Sequence, residues 1–355
     1  MPGSIPKIIL LCCFKSGYFW CKVQPLNKSI KIIINWLVGP LLFVVLTWGI
    51  VKQVSSLADW ESQLFSIAQL VKQQGVGLVL LAIALMLLQW AVEAVKWREL
   101  FTGIYKIKWL EAFLSVFSGL AISLLTPNRT GEFAGRIMYL SADQRLQGTA
   151  FTVVSNLAQL VVTLCAGSLA LLFQDGLVDA SLEPFGLTPV IRMLDWGAPS
   201  MALVALVIYF KGTTVLGKLW KIKFLGRFRN QISSIDSLSF HILFRVLLWS
   251  ILRYLIFIVQ YWVLLMITNR DIPFAELSIL LAIMFLWLAI IPTFSLAELG
   301  LRWQFALWLF APLAADKLGI LFAVTAVWFI NFILAAALGT IAVSFYKPFQ
   351  PLQNR

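Results

Sequence analysis

Apolar residues run along this chain in blocks too long and continuous for strands or for one-faced surface helices. Six blocks stand out, at 32–51, 75–95, 149–173, 197–210, 243–268 and 319–345. A spanning helix needs about 20 apolar residues, since each advances about 1.5 Å through a hydrocarbon layer of about 30 Å. Only the block at 197–210 is short by that measure, and it gains length if it starts near Leu194. Two further blocks, 109–126 and 277–291, end differently. The first runs into Thr126-Pro127-Asn128-Arg129-Thr130-Gly131-Glu132, the second into Pro292-Thr293-Phe294-Ser295-Leu296-Ala297-Glu298. Proline stops a helix because it lacks the N–H and its ring crowds the preceding turn. The pattern predicts an all-α polytopic membrane protein, with about six full transmembrane helices and two broken apolar segments.

Charge decides how the broken segments run, because cytoplasmic loops collect Lys and Arg. If each is a re-entrant hairpin returning to its own side, the inner segments are 1–31, 96–108, 143–148, 211–231 and 346–355. They hold 18 Lys and Arg, against 5 in the outer segments 52–74, 174–196, 269–276 and 312–318. The outer segments also hold nine acids, among them Asp175, Asp179, Glu183 and Asp195. A single crossing by 109–126 would turn the basic loop 211–231 outward and the acidic loop 174–196 inward. The expected arrangement is therefore two hairpins, with both termini cytoplasmic. Residues 1–31 form a basic tail with five lysines and no acid, 32–345 a single transmembrane domain, and 346–355 a cytoplasmic tail. The apolar run Ile8–Phe14 is too short for a signal peptide and no small-residue cleavage site follows it.

Composition then closes off whole classes. Of 355 residues, 61% are hydrophobic and 12% charged, with a mean hydropathy of +0.90. Soluble domains carry about 25% charge. One histidine and four cysteines, Cys12, Cys13, Cys21 and Cys165, offer no metal-ligand or disulfide spacing, so no cofactor or metal is expected. The excess of 28 basic over 16 acidic residues fits contact with anionic lipid and not nucleic acid. Two surface segments agree. Trp60, Leu64, Ile67 and Val71 recur at helical spacing behind Ser56 and Asp59, which predicts an amphipathic helix on the outer interface. On the inside, basic and aromatic residues interleave from Lys218 to Arg229, as a headgroup anchor or a plain topology determinant.

Candidate chemistry lies in the broken segments. Each has an apolar half, a proline, a polar break and then Glu-x-x-x-Arg, which sets Glu132 with Arg136 and Glu298 with Arg302 on one helix face. Charge at membrane depth costs about 2.5–3.5 kcal/mol per residue even on insertion scales, so such clusters need a reason. On the charge map the first hairpin enters from inside and the second from outside, the inverted-repeat pattern of transporters with a site near the midplane. Helix N-termini at the breaks and Arg129, Arg136 and Arg302 favour an anion, since Arg suits bidentate phosphate contacts. The candidate substrate-binding set is Pro127, Asn128, Arg129, Gly131, Glu132, Arg136, Arg253, Pro292, Glu298 and Arg302. Arg253 sits deep in the fifth span, eight residues past Arg245, which is placed to snorkel inward. Glu93, Lys96 and Arg98 read as interface residues at the inner end of the second span. Glu–Arg pairs that merely pin the hairpins in place are the competing explanation.

The stretch Leu125–Phe133 resembles a motif of the lysylphosphatidylglycerol synthase transmembrane, flippase-like family, and Ile291-Pro292 with Ala297-Glu298-Leu299-Gly300 resembles its later motif. The likeness extends over about residues 30–345, although the chain has Asn128-Arg129 and Phe294-Ser295 where the family often has more glycine. The resemblance implies a cytoplasmic membrane protein of a prokaryote that flips lipid or serves cell-envelope glycolipid assembly. No segment resembles the soluble aminoacyl-transfer domain, so a complete lipid-aminoacylating enzyme is not expected. The expected partners are an anionic phospholipid or polyprenyl-phosphate-linked lipid, bulk membrane lipid, and a second copy or an envelope-synthesis enzyme. A membrane-embedded transferase, or a non-catalytic partner of one, is the alternative.

Overall fold

The hydrophobic blocks appear as helices in the computed structural model, which describes residues 48, 60–124, 131–141, 144–174, 176, 188–219, 238–269, 271–291, 295–311, 313 and 316–345. The proposed first span 32–51 (Trp48 excepted), both tails, the stretch 220–229 and the breaks holding Pro127, Asn128, Arg129 and Pro292 lie outside the described residues. In chain order the helices are α1 (Trp60–Leu70), α2 (Val76–Leu100), α3 (Trp109–Leu124), α4 (Gly131–Ile137), α5 (Arg145–Leu172) and α6 (Thr188–Leu219). There follow α7 (Phe240–Leu265), α8 (Phe274–Ile290), α9 (Ser295–Leu309), α10 (Lys317–Trp328) and α11 (Ala335–Phe345). Among the described residues there is no strand. The fold is all-α and polytopic.

Four stretches are long and apolar enough to cross a bilayer: Phe65–Leu100, Arg145–Leu172, Phe240–Leu265 and Lys317–Ile341. They match four of the six expected spans. The block at 197–210 is the middle of α6, which extends beyond it at both ends and contains Pro199. One expectation changes. The helix at Trp60–Leu70 does not end as a separate surface element; a π-helical turn, Val71–Gly75, carries it directly into α2. Ile67 is buried in the main core, because α1 packs on α10 instead of lying free on the interface.

Both broken segments are hairpins. Helix α3 has 16 residues, about 24 Å at helical rise, which is short of a full crossing. Its start is capped by Glu111, whose Oε2 accepts the backbone N–H of Lys108 at 3.1 Å. Ser118 meets Tyr139 through their hydroxyls at 2.9 Å, and Gly119 meets Gly135, so α4 returns along α3. The return is close. A Cβ on Gly135 would stand 2.5 Å from the Gly119 backbone, so only glycine permits this approach. In the second hairpin α8 and α9 meet through Trp287 and Phe305, with ring centroids 5.2 Å apart.

The two hairpins belong to inverted halves. Helices α2 and α7 form the most extensive pairing among the described residues and run antiparallel: Gly75 lies against Ile267, and Glu99 pairs with Arg245. Each is followed by a short link, a hairpin and a long helix, so the hairpins start from opposite ends of the α2–α7 pair. The halves also exchange partners. The first arm of hairpin two, α8, packs on α5, while the first arm of hairpin one, α3, packs on α11. Glycine marks both crossings, since Gly167 of α5 faces Leu286 and Ala282, and Gly339 of α11 faces Phe117 and Ala121. An inverted repeat accounts for this reciprocity.

Candidate functional site

The site grows from α2. Gln89, Glu93 and Lys96 recur every three or four residues on this apolar helix and are all buried. The sequence placed Glu93 and Lys96 at the membrane interface, and the structure corrects this: both side chains are fully enclosed, at 0% exposure. They were misplaced because their position near the end of a hydrophobic block said nothing of the hairpin that covers them. The missed signal was the polar stripe itself, one face of a spanning helix carrying three polar groups. Arg98 behaves as expected of an end-of-helix residue, donating from Nε to the carbonyl of Ile107 at 3.2 Å and lying over the ring of Trp109.

Glu93 draws four elements together. Its Oε1 accepts from Nη2 of Arg136 at 2.8 Å and from Oγ of Ser155 at 3.0 Å. Its Oε2 accepts from Nη1 of Arg253 at 2.9 Å and from Nζ of Lys96 at 3.0 Å. These four donors, from α2, α4, α5 and α7, fill the about four lone-pair sites of one carboxylate. Nη2 of Arg136 also donates to Oε1 of Glu132 at 2.6 Å. Arg136 lies over the ring of Trp97 at 5.6 Å, and Arg253 over that of Trp90 at 4.6 Å, where the aromatic faces favour cations.

The balance of this cluster is positive. Lys96, Arg136 and Arg253 face two carboxylates, those of Glu93 and Glu132. Arg136 is 1% exposed, yet its Nε and Nη1 have no hydrogen-bond partner among the described residues. Trp90 and Trp97, on the same helix as Glu93, likewise hold buried indole N–H groups without acceptors among the described residues. Buried donors normally find acceptors, since leaving one unmet costs about 1–3 kcal/mol. The surroundings of Arg136 are rich in donors and short of acceptors, which is chemistry that suits an anion. Arg253, 21% exposed, and Glu132, 20% exposed, form the open edge of the cluster.

The second hairpin repeats the motif with other partners. Arg302 donates from Nε to Oε1 of Glu298 at 3.1 Å, and Nη2 reaches the same oxygen at 2.5 Å. Its Nη1 donates to the hydroxyl of Tyr261 on α7 at 3.1 Å. Of the candidate residues, then, Glu132, Arg136 and Arg253 come together, and Glu298 and Arg302 form a second group. Gly131 is buried as the first residue of α4. Arg245, expected to reach the inner surface, is 42% exposed and pairs with Glu99 at 3.4 Å. Among the described residues no group of His, Cys, Asp or Glu is placed to hold a metal ion.

An inverted pair of hairpins, one holding its Glu–Arg pair against α2 and the other against α7, defines a polytopic all-α membrane protein. The chain belongs to the family described as the lysylphosphatidylglycerol synthase TM region, which matches residues 36–339. The match covers both hairpins and every helix described above except the end of α11. No curated protein matches the chain. Membership makes this a membrane protein concerned with lipid synthesis or transport.

Proposed function

We propose that this protein binds an anionic lipid, either a phospholipid or a polyprenyl-phosphate-linked lipid, and translocates its headgroup across the cytoplasmic membrane of a prokaryote. The observation that carries this is Arg136, buried in a cation-rich cluster with two N–H positions unpaired among the described residues. A phosphate oxygen supplies the acceptors that position lacks, and Arg binds phosphate well because its donors are planar and always charged. The open edge at Arg253 gives such a headgroup an approach from the lipid phase. Arg302 offers a second cation in the oppositely facing hairpin, which suits a site at the interface of two inverted repeats. Both termini are cytoplasmic on this proposal, because that orientation puts the basic loops inside.

The alternative that the pairs only clamp the hairpins is favoured by their short contacts, 2.6 Å for Arg136 with Glu132. Paired substitutions separate the two. The protein is purified, retained lipid is identified by mass spectrometry, and lipid movement is followed in liposomes. Arg136→Gln should deplete retained anionic lipid more than Lys106→Gln, because Lys106 is an exposed cation contributing about 1 kcal/mol to surface attraction. In Glu132→Gln/Arg136→Gln both charges are gone, so stability should recover relative to either single change. Translocation should not recover, because the phosphate-binding cation is missing. Recovered translocation would leave the pair a clamp and remove the transport proposal.

A further inference from the structure

The long helix at the end of the chain touches both hairpins. Its first part, α10, packs on α9 of hairpin two, where Nε1 of Trp303 donates to Oγ1 of Thr325 at 2.8 Å. Its last part, α11, packs on α3 of hairpin one, with Gly339 against the backbone of Phe117. Between them the helix loosens into a π-helical turn, Phe329–Leu334. Such turns are uncommon and are frequent at functional positions, because they break the regular ladder and relax the helix locally.

Asn331 sits in that turn and is buried. Its Nδ2 donates to Oε1 of Gln260 at 2.7 Å and to the carbonyl of Val327 at 2.8 Å. Nε2 of Gln89 donates to Oδ1 of Asn331, and also to Oε1 of Gln260 at 3.3 Å. Nε2 of Gln260 closes the set by donating to the carbonyl of Ala82 at 2.8 Å. The three amides tie the π-helical turn to α2 and α7. Their positions on those helices matter. Gln89 is one turn from Glu93, the acceptor for Arg136, and Gln260 adjoins Tyr261, the acceptor for Arg302.

We propose that Asn331 is a positioning residue that, with Gln89 and Gln260, couples the two hairpins, so that a change at one Glu–Arg pair is transmitted to the other. This rests on the transport proposal for its purpose, although the coupling itself is testable without any lipid. No other buried polar set among the described residues touches both central helices and the one helix that carries both hairpins. A side-chain amide suits the task, because it exchanges neutral partners of similar strength and holds no charge that would fix one state.

The test uses the full chain in phosphatidylcholine vesicles, with hydrogen exchange read separately over α4 and α9. Hairpin one is perturbed directly by Arg136→Gln, and in parallel by adding phosphatidylglycerol to the parent protein. Exchange in α9 should change in both cases. In Asn331→Leu the change in α9 should vanish while that in α4 persists, and phosphatidylglycerol translocation should fall by about tenfold, a coupling of ordinary size. Should Asn331→Leu fold poorly, the triple change Gln89→Leu/Gln260→Met/Asn331→Leu removes all three amides together, so that none is left facing a missing partner and only the helix carbonyls of Ala82 and Val327 lose a side-chain donor. Retained phosphatidylglycerol should be unaltered in either variant, which a general loss of structure would not allow. A response in α9 that survives loss of the amides, or that never occurs in the parent background, overturns the proposal. If phosphatidylglycerol neither binds nor moves, phosphatidylglycerol is excluded as the transported lipid, and the Arg136→Gln arm still decides the coupling.

Discussion

The two hairpins carry the same Glu-x-x-x-Arg motif and use it in different company. Arg136 lies 43 residues beyond its α2 acceptor Glu93, and Arg302 lies 41 beyond its α7 acceptor Tyr261. The first arginine thus finds a carboxylate on its central helix, where the second finds a neutral phenol. The first arginine is locked between two acids inside a cluster of five charges. The second shares one acid and one hydroxyl. Packing differs in the same sense, a glycine contact closing hairpin one and a pair of aromatic rings spacing hairpin two. The symmetry fixes where the charges sit, and the residues across the seam set how tightly each is held.

Breaking the carboxylate at the centre of hairpin one should have the largest effect. Glu93→Gln leaves Lys96, Arg136 and Arg253 facing Glu132 alone, and a buried pair broken on one side costs about 3–5 kcal/mol. Glu298→Gln, at a partly open pair, should cost clearly less; equal loss of thermal stability would show that the two half-sites are equivalent. Next comes the close contact of hairpin one. Gly135→Ala drives a methyl into the backbone of α3, so about 2–3 kcal/mol of stability should be lost by overpacking. Phe305→Leu in hairpin two removes ring contacts to Trp287 and Trp308, and chemical denaturation should place the loss at about 1–2 kcal/mol, each aromatic pair being worth about 1 kcal/mol. A smaller effect is expected of Tyr261→Phe in lipid retention, since Arg302 keeps Glu298 as its partner. If Tyr261→Phe empties the protein of lipid as fully as Arg136→Gln does, the ranking of the two half-sites is reversed.

Much of the fold was legible because bilayer physics is one-dimensional. Length and apolarity alone marked the spans, and proline followed by charge marked the two breaks. The same logic failed at the ends of blocks. At Trp60–Leu70 the helical spacing was right, but nothing local foretold that a π-helical turn would continue it into α2. At Glu93 and Lys96 the residues were visible and their depth was not, because depth came from α4, α5 and α7 closing over them.

The sequence by itself determined the membrane class, the four described spans, the two hairpins and the i,i+4 Glu–Arg pairs within them. All of these rest on local signals of length, apolarity, spacing, proline breaks and loop charge, which need no knowledge of which helices pack together. Tertiary structure alone decided that Glu93 gathers Arg136, Arg253, Lys96 and Ser155, that Tyr261 receives Arg302, and that Gln89, Gln260 and Asn331 meet. These contacts join residues up to 242 positions apart, and they exist only because antiparallel α2 and α7 bring opposite ends of two halves into one seam. A polar side chain in an apolar helix announces that it needs a partner. Which partner it finds is settled by how the helices pack.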